Sequence, residues 1–202
     1  MPIWHLPCHL VFQKGKYRFC HDGRAPTGGL CLNELLINDL NLMTPLLDPI
    51  NNLRRFLYAF STDIEAFFHN IAVDERDRGV FRFLWYEDEK MEVLKTYLML
   101  FMVFGSSSSP SITSYILKIH GERVREKFGE EIYLIITRFF YVDDGSGGAN
   151  SVEKCRKLAR DLKAAMLEGG FELGKWKFSH PALRGDDEEE EQDEEASILG
   201  IR

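Results

Sequence analysis

Residues 132–145 read Ile132-Tyr133-Leu134-Ile135-Ile136-Thr137-Arg138-Phe139-Phe140-Tyr141-Val142-Asp143-Asp144-Gly145. The apolar part, Ile132 to Val142, is continuous and rich in β-branched and aromatic residues, so it reads as a strand crossing the middle of a sheet. Asp143-Asp144-Gly145 then reads as a tight turn. A second run, Tyr58 to Thr62, reads as a short strand ending at Asp63. Carboxylates at the ends of neighbouring strands can converge on one sheet edge. Three of them make a hard-oxygen site, suited to magnesium or manganese rather than zinc. A divalent cation would relieve the repulsion between close carboxylates. Two such ions about 4 Å apart would activate a hydroxyl and stabilise a leaving pyrophosphate. From spacing alone the alternative stands beside it: Asp-Asp-Gly is also an ordinary hairpin turn.

Outward from these strands, Ile3 to Phe12 reads as an edge strand or arm, and Tyr17 to His21 as a short strand after the turn Gln13-Lys14-Gly15-Lys16. Gly23 to Gly29 is a loop. Leu32 to Leu36 suggests a short helix opened by Asn33, and Leu46 to Leu57 a second one with Pro49 near its start. Val80–Tyr86 and Val93–Phe104 look like a β-hairpin around Glu87-Asp88-Glu89-Lys90. Ser109-Pro110 opens a helix whose apolar face is Ile112, Tyr115, Ile116 and Ile119. Asn150 and Ser151 start the clearest helix, with Val152, Cys155, Leu158, Leu162, Ala165 and Met166 on one face, stopped by Gly169-Gly170. Phe171–Phe178 reads as a short strand pair and Ser197–Ile201 as a final strand fragment. Gly145–Gly148 lacks the lysine of a Walker loop and reads as a flexible exit from the turn. This order of elements suits an α+β layer, with helices packed on one face of a mainly antiparallel sheet.

The chain has 202 residues, 45% hydrophobic and 12% aromatic, which excludes disorder over most of its length. No run of about 18 apolar residues is present, so no membrane span is expected. Met1–Leu10 lacks the basic region and apolar core of a signal peptide, so the four cysteines are expected to stay reduced. Nine of the ten residues in 186–195 are acidic. With those nine set aside, 25 basic side chains face 23 of the 32 acidic ones, so the net charge of −7 resides in one appendage. Such a block is expected to be a disordered, solvated insert. His5-x-x-Cys8-His9 and Cys20-His21 fit no standard zinc spacing and read as structural.

The residues around the aspartates carry a family resemblance. Phe140-Tyr141-Val142-Asp143-Asp144 resembles the tyrosine-X-aspartate-aspartate hairpin of reverse transcriptases. Phe60 to Phe68 resembles their first catalytic motif, an aspartate followed five residues later by an aromatic. Phe104-Gly105, the four serines and Pro110 resemble the next motif. Gly169 to Trp176 and Ile198-Leu199-Gly200 resemble the last two palm motifs. Within the family, Trp4-His5-Leu6-Pro7, Leu32 to Leu36, Gly169-Gly170-Phe171 and Lys175-Trp176 are similar to the Pao/BEL class of long-terminal-repeat retrotransposons.

The resemblance implies an α+β right-hand polymerase with fingers and palm and the thumb absent. The fingers would be residues 1–57 with the hairpin 74–105; the palm would be 58–73 and 106–202. It implies an RNA-directed DNA polymerase using two magnesium ions, with manganese as substitute. Asp63, Asp143, Asp144 and the Ile64 carbonyl would hold the ions. Arg18, with Lys16, would grip the triphosphate through bidentate phosphate contacts. Phe68 would screen the sugar and favour deoxynucleotides; Phe104 and Gly105 would line the nucleotide pocket. Ser107, Pro110, Tyr141 and Val142 would meet primer and template. Lys175 would be the general acid for pyrophosphate, with Lys177 nearly as good a candidate. The implied partners are a primed RNA or DNA template, deoxynucleoside triphosphates, and the thumb and RNase H segments of a parent polyprotein. The implied setting is intracellular, in cytoplasmic particles or the nucleus. Phe19 to Arg24 departs from the family's valine-phenylalanine-aspartate-alanine-serine run, which bears on template grip. The alternative function is a catalytically silent relic that binds nucleic acid weakly.

Overall fold

The structure is a computed structural model that describes residues 3–13, 15–37 and 41–184. In chain order its main elements are β1 (Cys8–Gln13), β2 (Lys16–His21), α1 (Leu32–Leu35), α2 (Leu47–Arg54), β3 (Tyr58–Ile64), β4 (Arg82–Tyr86), β5 (Leu94–Leu98), α3 (Ser109–Phe128), α4 (Glu130–Arg138), β6 (Phe140–Tyr141), β7 (Asp144–Ala149), α5 (Val152–Glu168) and β8 (Leu173–Phe178). Two compact units share the chain. One comprises residues 1–41 and 68–113; the other comprises 42–67 and 114–202. The acidic run 186–195 and the expected strand 197–201 lie outside the described residues.

The first unit holds two antiparallel hairpins, β1–β2 and β4–β5. Alternation sorts the β2 side chains. Phe19 and His21 face inward onto Phe83 in tilted and edge-on ring contacts, while Lys16 and Arg18 lie on the opposite face, exposed. The strand expected over Val93–Phe104 is confined to Leu94–Leu98. Beyond it, Met102 and Val103 are buried as an irregular segment.

The second unit is built on a four-stranded antiparallel sheet ordered β6-β7-β3-β8, against which α2, α4 and α5 pack. Helix α5 buries Cys155, Leu158, Leu162, Ala165 and Met166, the face its period predicts, and the Ser151 hydroxyl accepts the Lys154 N–H as its N-cap. Phe60, Ile132, Ile136, Leu162 and Met166 form the driest part of this core.

Ile132–Val142 is not one strand: residues through Arg138 form α4, and only Phe140–Tyr141 is β. Ile132, Ile135 and Ile136 are buried at helical spacing. Glu130 and Glu131 sit in the first turn and Arg138 in the last, as the helix dipole favours. A short apolar run carries both periods, and these termini settle it as helix.

Gly145–Gly148 is no flexible exit. It is the buried interior of β7, and the turn before that strand is made by Val142 and Asp143 rather than Asp143-Asp144-Gly145. The glycines make room for rings: a Cβ on Gly145 would stand 2.4 Å from the Phe140 ring, and one on Gly147 the same distance from Phe60.

Helix α3 turns the expected face outward. Ile112, Tyr115 and Ile119 are exposed and Ile116 is half-buried, while Thr113, Ser114, Leu117, His120 and Val124 are buried. Small residues let helices approach: a Cβ on Gly121 would meet the Thr137 methyl of α4 at 2.6 Å. The buried His120 is satisfied, with Nε2 at 2.9 Å from the Ala165 carbonyl. Finally, within Phe171–Phe178 there is one strand, Leu173–Phe178, with an irregular register, rather than a strand pair.

Candidate active site

In the second unit, strand register assembles the carboxylates. Asp63, next to last in β3, is paired directly with Asp144, the first residue of β7. Asp143 occupies the two-residue turn before it. Val142 takes φ +56°, a left-handed conformation that lets β6 fold back onto β7 within that turn. The Asp143 carbonyl accepts the Ile64 N–H at 2.9 Å, tying the turn to β3. The three aspartates therefore share one sheet edge, with Tyr141, Val142 and Ile64 beside them.

On the other side of Asp63, β8 carries an irregular register between Ser61 and Asp63. The Thr62 hydroxyl donates to the Gly174 carbonyl at 2.7 Å, and Lys175 adopts φ +43°. Through this bulge the Lys175 ammonium reaches Oδ2 of Asp63 and forms an ion pair with it. Oδ1 of Asp63 is buried and accepts no hydrogen bond.

The charges feel one another. Burial first, then the Asp143 and Asp63 charges, push the Asp144 carboxyl up to about 6, and Lys175 and Lys177 pull it back. The hydrogen bond to Asp63 raises Lys175, with the charges of Asp63, Asp143 and Asp144 adding to it. Among the described residues, no three His, Cys, Asp or Glu side chains are gathered closely enough to hold a metal ion in this arrangement. The donor set nevertheless suits a hard divalent cation. It is all oxygen, it is self-repelling, and it includes a buried carboxylate oxygen with no partner.

The first unit carries the other expected residues. Lys16 and Arg18 share one exposed face of the β1–β2 hairpin. Phe68 is buried and meets Phe104 edge-on, with ring centroids 4.7 Å apart; Phe104 is half-exposed. Gly105 has φ +103° and lies against the His21 carbonyl. Ser107 is exposed, and Pro110 stands in the first turn of α3.

Residues 14–202 match the sequence profile of the family described as reverse transcriptase (RNA-dependent DNA polymerase). The chain belongs to this reverse transcriptase family. No curated protein is detectably similar to it in sequence. Among solved structures, it is similar to the foamy viral protease-reverse transcriptase dRH in complex with double-stranded DNA. The TM-score is 0.63 at 19% identity, over 84% of this chain and 26% of that one. It is also similar to the foamy viral protease-reverse transcriptase in complex with an RNA/DNA hybrid, with a TM-score of 0.61 at 19% identity, over 84% of this chain and 20% of that one. The chain thus spans about a quarter or less of these neighbours, and the likeness is one of fold. No helix among the described residues is long and apolar enough to cross a membrane.

Two residues of the first unit have surroundings that the sequence does not show. Asn33, inside the first turn of α1, donates from Nδ2 to the Gly105 carbonyl at 3.0 Å and accepts the Ser107 N–H on Oδ1 at 2.9 Å. It splints the loop that carries Phe104, Gly105 and Ser107. The sequence marks Asn33 only as the residue opening this helix, whereas Cys31 is the N-cap and Asn33 follows it by two residues. His21 is buried with no hydrogen bond on either ring nitrogen, a feature no sequence pattern announces.

Proposed function

We propose that this chain is the fingers and palm of an RNA-directed DNA polymerase, with residues 1–57 and 74–105 as fingers and 58–73 and 106–202 as palm. The carrying observation is the register that sets Asp63 opposite Asp144 with Asp143 in the adjoining turn, in a chain of this family. Asp63, Asp143, Asp144 and the Ile64 carbonyl would hold two divalent ions, magnesium with manganese as substitute. When bound, these supply charge neutralisation and activation of a hydroxyl.

The chain's own residues would do the rest. Arg18 and Lys16, on one exposed face, grip the triphosphate oxygens. Phe68, held edge-on by Phe104, leaves no room for a 2′-hydroxyl and offers it no hydrogen bond, so deoxynucleotides are preferred. Gly105 keeps the pocket wall at backbone height. Tyr141, Val142, Ser107 and Pro110 line the path of primer and template. The primer 3′-hydroxyl gives up its proton to solvent water as its oxygen attacks the α-phosphate in line and forms the new ester bond. The bond to pyrophosphate breaks, and Lys175 or Lys177 gives the leaving group its proton.

The Trp4 to Pro7 arm, Leu32 to Leu36, Gly169-Gly170-Phe171 and Lys175-Trp176 support a place in the Pao/BEL class of retrotransposons. In that setting the chain replicates an element inside the cell, alongside thumb and RNase H segments of one polyprotein.

The test is primer extension by the purified chain on an RNA template with a DNA primer, in magnesium or manganese, with Asp143→Asn in parallel. Extension that disappears in the variant supports the reading. If a folded chain stays silent even with a thumb segment supplied, the reading is wrong and the chain is a relic.

A further inference from the structure

We infer that Lys175 is the resident cation of the three-aspartate edge, a positioning residue that holds Asp63 ready and that a divalent ion must displace. This rests on the reading of those aspartates as the metal site, and it concerns the state before any ion arrives.

Three observations carry it. First, the side chains differ in exposure: the Asp63 side chain is 14% exposed and that of Lys175 is 65% exposed. Asp63 is thus the buried member of the pair, and a carboxylate in that position needs a counter-charge. Lys175 supplies it from solvent, on a stem that can swing away at little cost. Second, the backbone is shaped for the contact. A lysine at φ +43° is in a conformation that residues with a Cβ rarely adopt, and it sits beside the register irregularity of β8. A regular strand would send alternate side chains to opposite faces. The bulge re-aims Lys175 at Asp63, and Gly174 before it leaves room for Glu65, whose Oε1 would lie 2.4 Å from a Cβ there. Third, the ammonium faces more than its bonded partner, since the charges of Asp63, Asp143 and Asp144 all act on it. One monovalent cation therefore stands against the carboxylates that a divalent ion would engage, and it uses Oδ2 of Asp63 while Oδ1 stays unpartnered.

The consequence is competition. Metal entry breaks the Lys175–Asp63 pair, so the lysine lowers the apparent affinity of the edge for the first ion. It also keeps Asp63 from turning away while the edge is empty. A surface ion pair with no further role would leave metal affinity untouched.

The test measures Mn²⁺ binding to the purified chain, free of nucleotide, by the electron paramagnetic resonance of the free ion. Lys175→Met is expected to bind the first Mn²⁺ about tenfold more tightly than the wild type, the order of effect one neighbouring charge exerts. Lys175→Arg keeps the charge and should stay within about twofold of wild type. Without metal, Lys175→Met should melt lower than wild type, and Mn²⁺ should raise its melting temperature by more than it raises the wild type's. Equal or weaker binding by Lys175→Met, with binding still abolished by Asp143→Asn, overturns the inference and leaves the metal reading standing. Binding by neither protein overturns both. Should Lys175→Met fail to fold, the wild type decides the matter. With lysines carrying ¹³C-methyl labels, the resonance missing from Lys175→Arg must shift as Mg²⁺ is titrated in. A resonance that stays fixed at saturating Mg²⁺ overturns the inference.

Discussion

A Cβ atom on Gly105 would stand 1.8 Å from the carbonyl oxygen of His21. Nothing at that separation is a soft contact, because both partners are backbone and neither can rotate away. Gly105 also has φ +103°, which L side chains avoid. Gly105→Ala should therefore lower the stability of the chain by about 3 kcal/mol or more. Gly129→Ala is the control. That glycine has φ +86° and ψ 174°, a region essentially confined to glycine, but nothing within 4 Å of its Cβ position, so only the backbone cost of about 1–3 kcal/mol applies. Urea midpoints of the two variants check this. Equal losses would mean that the His21 contact is dispensable.

His21 itself predicts an acid sensitivity. It is buried at 4% exposure, neither ring nitrogen has a partner, and burial, then the nearby His69 charge, hold its imidazole at about 4. The unfolded chain takes up this proton near pH 6.5, and the folded chain does so only near 4. The stability is thus complete above about pH 6.5, falls as pH drops from there towards 4, and levels off below. At pH 5 the loss from this one group is on the order of 2 kcal/mol. Asp144 works in the opposite direction over part of that range, because its carboxyl is raised. The difference between wild type and His21→Phe isolates the histidine. The phenylalanine keeps the ring contacts with Phe19 and Phe83 and removes the orphaned nitrogens. It should be the more stable protein at pH 7.5, by about 1 kcal/mol, and its advantage should widen by about 2 kcal/mol at pH 5. A constant advantage across that range would show that His21 does not titrate as described.

How far these features could be read beforehand differs element by element. Helix α5 was legible because its apolar stripe, Ser151 cap and Gly169-Gly170 stop agree with one another. The approach of Asp63 to Asp143 and Asp144 was legible because motif and chain order pointed the same way. Ile132–Arg138 was not, since an unbroken apolar run fits a buried strand and a buried helix equally. The glycines of β7 were misread because their purpose is to admit the rings of Phe60 and Phe140, a fact of tertiary packing. The same holds for α3, where small and polar residues win the interior over Ile112, Tyr115 and Ile119. The Lys175–Asp63 pair depends on a bulge and a left-handed lysine, neither of which leaves a mark in composition or period.

The edge-on packing of Phe68 against Phe104 predicts a change in sugar selection. The Phe68 ring is fixed by a neighbour 4.7 Å away at 89°, so its position as a wall does not depend on substrate. Phe68→Ala should lower the ratio of kcat/KM for deoxynucleotides over ribonucleotides by about 10–100-fold, mainly by admitting the ribonucleotide. Phe104→Ala leaves the Phe68 ring in place but unsupported and should give a smaller loss. Single-nucleotide extension with the two substrate classes measures the ratio. An unchanged ratio in Phe68→Ala would remove Phe68 from sugar selection.

The fit of Phe60 over Gly147 can be tested as a pair. Phe60 is 1% exposed, and its ring fills the space in which a Gly147 Cβ would lie, 2.4 Å from the ring. Gly147→Ala overpacks this point in the middle of the sheet and should cost about 2–3 kcal/mol. Phe60→Leu shortens the ring and should cost about 1–2 kcal/mol alone. Together the two changes compensate, since the leucine vacates the volume the new methyl needs. The double variant should then be at least about 1 kcal/mol more stable than the sum of the single losses implies. Strict additivity would show that the ring does not set the glycine. The cost of Gly147→Ala would then lie in the β7 backbone, beside the residues that place Asp144 opposite Asp63.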